Sequence, residues 1–420
     1  MKSHKSIFVV ALFSLLNFSS SAAVEIPSSF NFQGSGYGHG VGMSQIGARA
    51  MALSGESATS IVKYYYKNIN VEPVVDNQNL RINLGHQLST LKVFSSTTGA
   101  RLQLFSGDLG EAMDATPIST FPNKARLTFS INGTMVSPTL TLGKKTTLLP
   151  QNRVFTLRWS GTRYLEGVDS ILSMTHSGST KRYKYGQLQF KAIKAAGIGY
   201  RIEVTNTLRL RDEYLWGISE VPSSWPASAL EAQVIASRTY ALSKAGKLRT
   251  ACDCDLYGSM KDQTFVGYAK EIEPRYGALW KAAVTATTTD ESSGLALTYL
   301  GQPISAYFFS SSAGQTETAR NAWGTDRAYT VSVSDIASTD LTLNPRYVSW
   351  NREVTQSLVA AAFRLPDVLS LEILSKNTTG TVAQIRATSS SGLQVTLKGE
   401  TFRSRSKIPS AWFELVSVQN

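Results

Sequence analysis

Val204-Thr-Asn-Thr-Leu-Arg-Leu-Arg-Asp-Glu-Tyr-Leu-Trp-Gly-Ile-Ser-Glu-Val-Pro-Ser-Ser-Trp-Pro226 is where two textures of this chain meet. Before it, apolar and polar residues alternate. Leu80-Arg-Ile-Asn-Leu, Leu91-Lys-Val-Phe, Ala125-Arg-Leu-Thr-Phe-Ser-Ile and Val154-Phe-Thr-Leu-Arg-Trp carry the alternation, with Gly, Asn, Pro and Ser between them. A period of two marks short strands. Gly186-Gln-Leu-Gln-Phe and Tyr200-Arg-Ile-Glu-Val-Thr bring the strands up to the quoted stretch. After it, residues 226–245 read as the clearest helix. Leu230, Val234 and Ala241 share one face, with Ala229, Ala236 and Tyr240 beside them. Pro226 stands near the first turn, where a missing N–H costs little.

Within the stretch, Glu220 closes an apolar run of Tyr214, Leu215, Trp216 and Ile218 and precedes a Val-Pro turn. Burial among such neighbours disfavours the ionised carboxyl. A carboxyl still protonated near neutral pH is what a general acid needs to donate to a glycosidic oxygen. Capping a helix or sitting on the surface are the plain alternatives for a glutamate beside a proline.

Working outward, Phe30-Asn-Phe-Gln-Gly is strand-like. A helix is predicted over residues 43–54, with Gly55 as its C-terminal cap. Ser57 caps a second short helix through Tyr64, Tyr65 and Tyr66. Residues 280–287 suggest another helix. Residues 295–300 and 304–310 read as a hairpin around Gly301-Gln-Pro. Later strands are predicted at 382–387 and 393–397. The fold class is α+β: a β-rich chain with a mixed α/β core and an additional strand-rich subdomain.

The 420 residues are 42% hydrophobic and 17% charged, a globular composition. Residues 1–23 read as a secretory signal: Lys2 and Lys5, an apolar run over 7–16, then Ser21-Ala-Ala. No later stretch is long and apolar enough for a membrane helix, so export in soluble form, to the cell wall or periplasm, is expected. The formal charge is +12, and losing Lys2 and Lys5 with the signal leaves about +10. Export disfavours nucleic acid as the partner and favours anionic wall polymers. The pair Cys252 and Cys254 supports two readings. One is a small disulfide. The other is two thiolates of a metal site that needs two further ligands, which His39, His86 and His176 do not supply nearby in sequence. No cofactor is expected, with zinc the one candidate.

The glycine run Gly34-Ser-Gly-Tyr-Gly-His-Gly-Val-Gly42 is no dinucleotide fingerprint. From Gly34, Gly36 or Gly38 the sixth position is His39, Val41 or Met43. No Gly-x-Ser-x-Gly elbow occurs, and Ser310-Ser-Ser-Ala-Gly-Gln-Thr316 lacks the leading glycine. Those hydroxyls and the Gln315 amide suit hydrogen bonds to a polyol. A Ser-rich turn after a strand is the plain alternative. Alternating glycines let a backbone approach a ligand closely, with His39 held among them.

Several segments together resemble the stage II sporulation protein D (SpoIID/LytB) family. They are residues 204–222, Trp225-Pro-x-x-Ala-Leu-Glu-Ala-Gln-Val-Ile-Ala-Ser-Arg-Thr-Tyr-Ala, Asp262-Gln-Thr-Phe-x-Gly, Ala306-Tyr-Phe-Phe-Ser-Ser-Ser-Ala-Gly-Gln-Thr-Glu and Gly38-His-Gly-Val-Gly-Met-Ser-Gln-x-Gly-Ala. In many relatives the last motif follows the catalytic part, whereas here it comes first. The tail at residues 402–413 resembles the stretch that usually precedes it. The chain therefore looks circularly permuted, which places its end near the mature start. The implied divisions are 1–23 signal, 24–75 permuted Gly-His-Gly segment of the catalytic domain, 76–200 β-rich subdomain and 201–420 catalytic domain.

The resemblance implies a lytic transglycosylase acting on peptidoglycan glycan strands, with Glu220 as catalytic acid. It places His39, Gly40, Ser44, Gln45, Arg238, Gln263, Ser310, Ser311, Ser312, Gln315 and Thr316 around the substrate cleft. Some relatives bind zinc through Cys and His; this chain has only Cys252 and Cys254 for it. The family also includes enhancers of cell-wall amidases, so a non-catalytic glycan-binding role with an amidase partner is the alternative. Asp212 and Glu213, the other nearby acids, are read as structural.

Overall fold

The computed structural model describes residues 25–419; the signal segment read at 1–23 lies outside them. Two antiparallel sheets dominate the first half. Seven strands run in the order Leu256–Tyr257, Asn79–Leu88, Gly199–Arg209, Gln187–Ala195, Val154–Trp159, Arg101–Ser106 and Ser119–Pro122, with only the first joined in parallel. Six more run Lys145–Leu148, Met135–Leu142, Arg126–Asn132, Thr90–Ser95, Leu172–His176 and Ser179–Tyr183. One buried core serves both: Val93, Leu127, Phe129 and Met174 from the second sheet pack with Leu104, Phe155, Phe190 and Val204 from the first. Phe129 stacks on Phe190 at 3.9 Å between ring centres. The alternation read in the sequence is the alternation of these inward side chains. The division expected at 200/201 falls inside the strand Gly199–Arg209, which is a full member of the larger sheet.

Helices α1 (Gln45–Leu53), α2 (Ala58–Tyr65) and α3 (Ala227–Lys244) form the centre. Ser44 caps α1 by accepting the Gly47 N–H, and Ser57 caps α2 by accepting the Ser60 N–H. Pro226 stands at the N-cap of α3. The Leu230, Val234 and Ala241 face of α3 joins the sheet core. Its other side, Ala232, Ile235 and Ala236, packs on Ile61, Val62, Tyr65 and Leu297 in a second core. A helix buried on both sides carries small residues, because alanine lets neighbours approach closely without side-chain entropy to lose.

A third core unites the chain's two described ends. Ser29–Gly34 lies between Trp350–Thr355 and Phe413–Gln419. Ser29 is opposite Gln419 in register. Phe32 packs edge-on to Phe413 at 5.6 Å and against Phe402 at 5.5 Å. The hairpin expected over 295–310 is shorter than the sequence suggests. Ser293–Tyr299 pairs only with Gln302–Pro303, and Phe308–Phe309 pairs instead, in parallel, with Met43–Ser44. Turn chemistry fixed the reversal at Gly301, and tertiary pairing took the following strand elsewhere.

Candidate active site

After the strand Gly199–Arg209 the backbone makes a π-helical turn at Leu210–Tyr214 and a 3-10 turn at Leu215–Gly217. Single π turns recur at functional sites. The Trp280 indole N–H donates to the Leu215 carbonyl at 2.8 Å and holds this turn in place. The chain then runs extended against residues 264–266. Ser219 N–H donates to the Thr264 carbonyl at 2.8 Å, and Val266 N–H donates to the Gly217 carbonyl at 2.9 Å. The Thr264 N–H donates to a Glu220 carboxylate oxygen at 2.5 Å. No cation pairs with Glu220 among the described residues. Burial pushes its carboxyl above the ordinary glutamate value, against the opposing pull of the Thr264 backbone and hydroxyl. The side chain stays partly exposed, so it is desolvated and still reachable.

The Gly-His-Gly motif reaches this acid through Gln45. The Gln45 amide donates to the backbone carbonyl of Glu220 at 3.4 Å and to the Gln233 side-chain oxygen at 3.2 Å. Gln233 in turn donates to Ser237 at 3.1 Å. The loop that delivers Gln45 is threaded tightly: Gly42 has φ +81°, and a Cβ there would lie 2.0 Å from the Tyr307 carbonyl oxygen. Only glycine fits both demands.

His39 occupies a neighbouring crevice with Gly36, Gly40, Ser311, Glu317 and Trp412. Its Nδ1 accepts the Val41 N–H at 3.0 Å. Burial lowers its pKa to about 3, reinforced by Arg403, so the ring is neutral at physiological pH. Aromatic rings link the crevice to α3. His39 lies 5.1 Å from Trp323, Trp323 4.7 Å from Tyr307, and Tyr307 6.2 Å from Tyr240.

The expected site residues separate into groups. Ser44 turns inward as the α1 cap and bonds Ser338 at 3.1 Å. Arg238 is fully buried and bonds Asp76 at 2.7 Å, Thr287 and the Leu295 carbonyl. Gln263 is fully buried, accepting from Tyr214 at 2.7 Å and donating to the Ser237 carbonyl. Ser312 donates to Asp335 at 2.7 Å, and Thr316 exchanges bonds with Val333. These polar side chains, with Gln45, spend their hydrogen bonds inside the fold and hold the site in shape; of them only Ser312 also lines the His39 crevice. His39, Gly40, Ser311 and Gln315 border the crevice, and Ser310 is half-buried. The buried Ser311 hydroxyl has no partner among the described residues.

The nearby acids are engaged elsewhere. Asp212 pairs with Arg209, and Glu213 accepts from the Arg209 N–H at 2.8 Å and from Arg163. Asp262 is gripped by both terminal nitrogens of Arg249 and by the Tyr240 hydroxyl. Cys252 and Cys254 form a disulfide, which leaves neither sulfur as a thiolate ligand. Sequence reasoning missed Thr264, although it follows Gln263 within a quoted motif. It also missed Gln233 and the Tyr240–Tyr307–Trp323 row, because ring-to-ring contacts between distant segments leave no local pattern.

Residues 199–299, which hold the π turn, Glu220, α3 and Thr264, match the SpoIID family model, described as stage II sporulation protein. Over these residues the chain is similar to the SpoIID family. It is similar to stage II sporulation protein D of Bacillus subtilis (strain 168), 29% identical over 217 residues that cover 48% of this chain and 59% of that protein. It is also similar to an amidase enhancer of the same organism, 30% identical over 117 residues, 28% of this chain and 14% of that one. The chain thus spans about three fifths of one relative and a seventh of the other. No solved structure matches it. The Gly-His-Gly motif lies outside the matched segment and reaches it through the Gln45 bond.

Proposed function

We propose that this protein is a secreted lytic transglycosylase of peptidoglycan, working at the cell wall or in the periplasm, with Glu220 as its one acid and base. The observation that carries the reading is a partly exposed carboxyl, raised in pKa by burial, with no cation or second carboxylate bonded to it among the described residues. Protonated Glu220 donates to the oxygen between N-acetylmuramic acid and N-acetylglucosamine as the C1–O bond breaks. The resulting carboxylate then takes the proton of the muramic 6-hydroxyl while that oxygen bonds to C1. The products are a free hydroxyl on the leaving sugar and a 1,6-anhydro end, and Glu220 is protonated again. Thr264 N–H stabilises the carboxylate between the two steps. Ordinary glycosidases use two carboxylates at set separations; here Asp212, Glu213 and Asp262 are committed to arginines. The row Tyr240, Tyr307 and Trp323 supplies apolar faces for sugar rings, and His39, Gly40, Ser310, Ser311 and Gln315 supply polar contacts at its end.

The N-terminal position of the Gly-His-Gly motif fits a circular permutation, since the strands at both described ends pair in one sheet. The alternative role is a glycan-binding enhancer of a cell-wall amidase, favoured by the amidase-enhancer relative. Purified murein glycan incubated with the protein separates the two. Transglycosylase action gives new ends that are absent with Glu220→Gln. Intact glycan, together with faster cleavage by an added amidase, assigns the enhancer role and refutes the enzyme.

A further inference from the structure

Beyond the candidate active site, a separate pocket of about 390 Å³ lies at the far end of α3. That volume is within the range of small-ligand sites. Its wall carries three cations, Lys244, Lys247 and Arg327, together with Tyr299, Ser305 and Tyr329, and no acidic residue. None of the three cations is in an ion pair among the described residues.

Lys244 is the informative one. It is half-buried, and burial disfavours its charged form, with Arg249, Lys247 and Arg327 adding repulsion. Lys270 faces the same penalty from burial, yet it is paired with Glu273 at 3.2 Å and donates to the Val221 carbonyl. Lys244 has instead the Tyr240 ring at 5.3 Å. The carboxylate that attracts it, Asp262, is already held by Arg249 and Tyr240. A partly buried cation without a counter-charge, beside two more, is a standing demand for an anion. The negative end of the α3 dipole opposes that demand. Lys247 blunts the opposition by donating to the Ser243 carbonyl at 2.8 Å.

The donors suit a multi-oxygen anion. Arg327 offers a planar fork, and the two lysines offer point charges. The Tyr329 hydroxyl accepts the Ser305 N–H at 3.3 Å, so its own proton is available to a ligand. We propose that this pocket binds a phosphate group, free or carried on a sugar or polyol polymer. A single carboxylate carries one charge, whereas free phosphate or a phosphate monoester carries about −1.5 to −2; the diester phosphates of a polymer carry one charge each but repeat along the chain, so either form answers several cations at once.

The pocket lies on the helix whose Gln233 bonds Gln45, the residue that braces the Glu220 backbone. Gln233, Tyr240 and Lys244 are spaced seven and four residues apart and so share one side of the helix. Gln233 and Lys244 are about 16 Å apart along its axis. The phosphate site itself does not depend on Glu220 being catalytic.

The test is calorimetric titration of the full chain with inorganic phosphate, with a glycerol phosphate oligomer, and with acetate and N-acetylmuramic acid. Saturable binding of either phosphate probe is expected, at least tenfold weaker in Lys244→Met/Arg327→Gln and unchanged in Glu220→Gln. Tighter binding of the oligomer identifies a polymer-borne phosphate, and equal or weaker binding a free one. Arg327 is exposed, so Arg327→Gln alone serves if the double variant does not fold, and it too must weaken binding. Non-saturating phosphate, affinity unmoved by these variants, or carboxylates bound as tightly as phosphate would overturn the proposal.

Discussion

The side-chain amide of Gln45 donates to the backbone carbonyl of Glu220 across 175 positions of sequence. Through this bond and the one to Gln233, the glycine-rich motif braces the segment that carries the acid. Gln45→Ala should therefore cut kcat by roughly 10- to 100-fold, the scale of a small misplacement of a reacting group. KM should change little, and stability should fall by about 1 kcal/mol for the lost hydrogen bonds. Steady-state kinetics on murein glycan with a thermal melt checks both. A large rise in KM at constant kcat would assign Gln45 to substrate binding.

The raised pKa of Glu220 has a definite sign for stability. Its folded value lies above its unfolded value, so protonation is favoured in the native state. The stability it contributes is complete below the unfolded pKa and is lost as pH rises through the folded one. Glu220→Gln should therefore match the parent protein in acid and equal or exceed it in melting temperature at neutral pH. A variant that melts well below the parent at neutral pH would make Glu220 a structural residue. Activity should fall along the same limb, as the acid loses its proton.

Arg238 and Asp76 form a fully buried pair, with Asp76 Oδ1 and one Arg238 terminal nitrogen left without partners among the described residues. Arg238→Met alone strands a buried carboxylate and should cost about 3–5 kcal/mol. Adding Asp76→Leu should recover much of that loss. Denaturant unfolding of both variants decides it, and equal losses would mean that packing, not charge, dominates.

The disulfide closes a very short loop, so its effect on the unfolded chain is small. Cys252→Ser/Cys254→Ser should lose about 1–2 kcal/mol by the chain-entropy relation. Chemical unfolding under non-reducing conditions measures this. A loss above about 4 kcal/mol would show that the bridge organises the segment leading to Thr264.

Much of this fold is written locally. Ser57 and Pro226 announce their helices because capping needs only neighbouring residues. The strands show through alternation because one face of each meets the shared core. What local reading misses is partner choice. Phe308–Phe309 leaves its hairpin for Met43–Ser44, and Gly199–Arg209 joins the sheet on the other side of an expected boundary. The site divides the same way. Glu220 was legible from its apolar setting. Arg238, Gln263 and Thr316 were expected to face substrate because they are polar and sit in matching motifs; the fold uses that polarity internally, where every buried donor needs an acceptor. Thr264 was hidden because it contributes a backbone N–H, which any residue carries.

The most direct measurement is mass spectrometry of glycan cleaved by the full chain in water enriched in heavy oxygen. Intramolecular closure at Glu220 predicts ends one water lighter than hydrolysed ends, carrying no heavy oxygen, and none at all from Glu220→Gln. Heavy oxygen in the new ends, or the same products from Glu220→Gln, would contradict it.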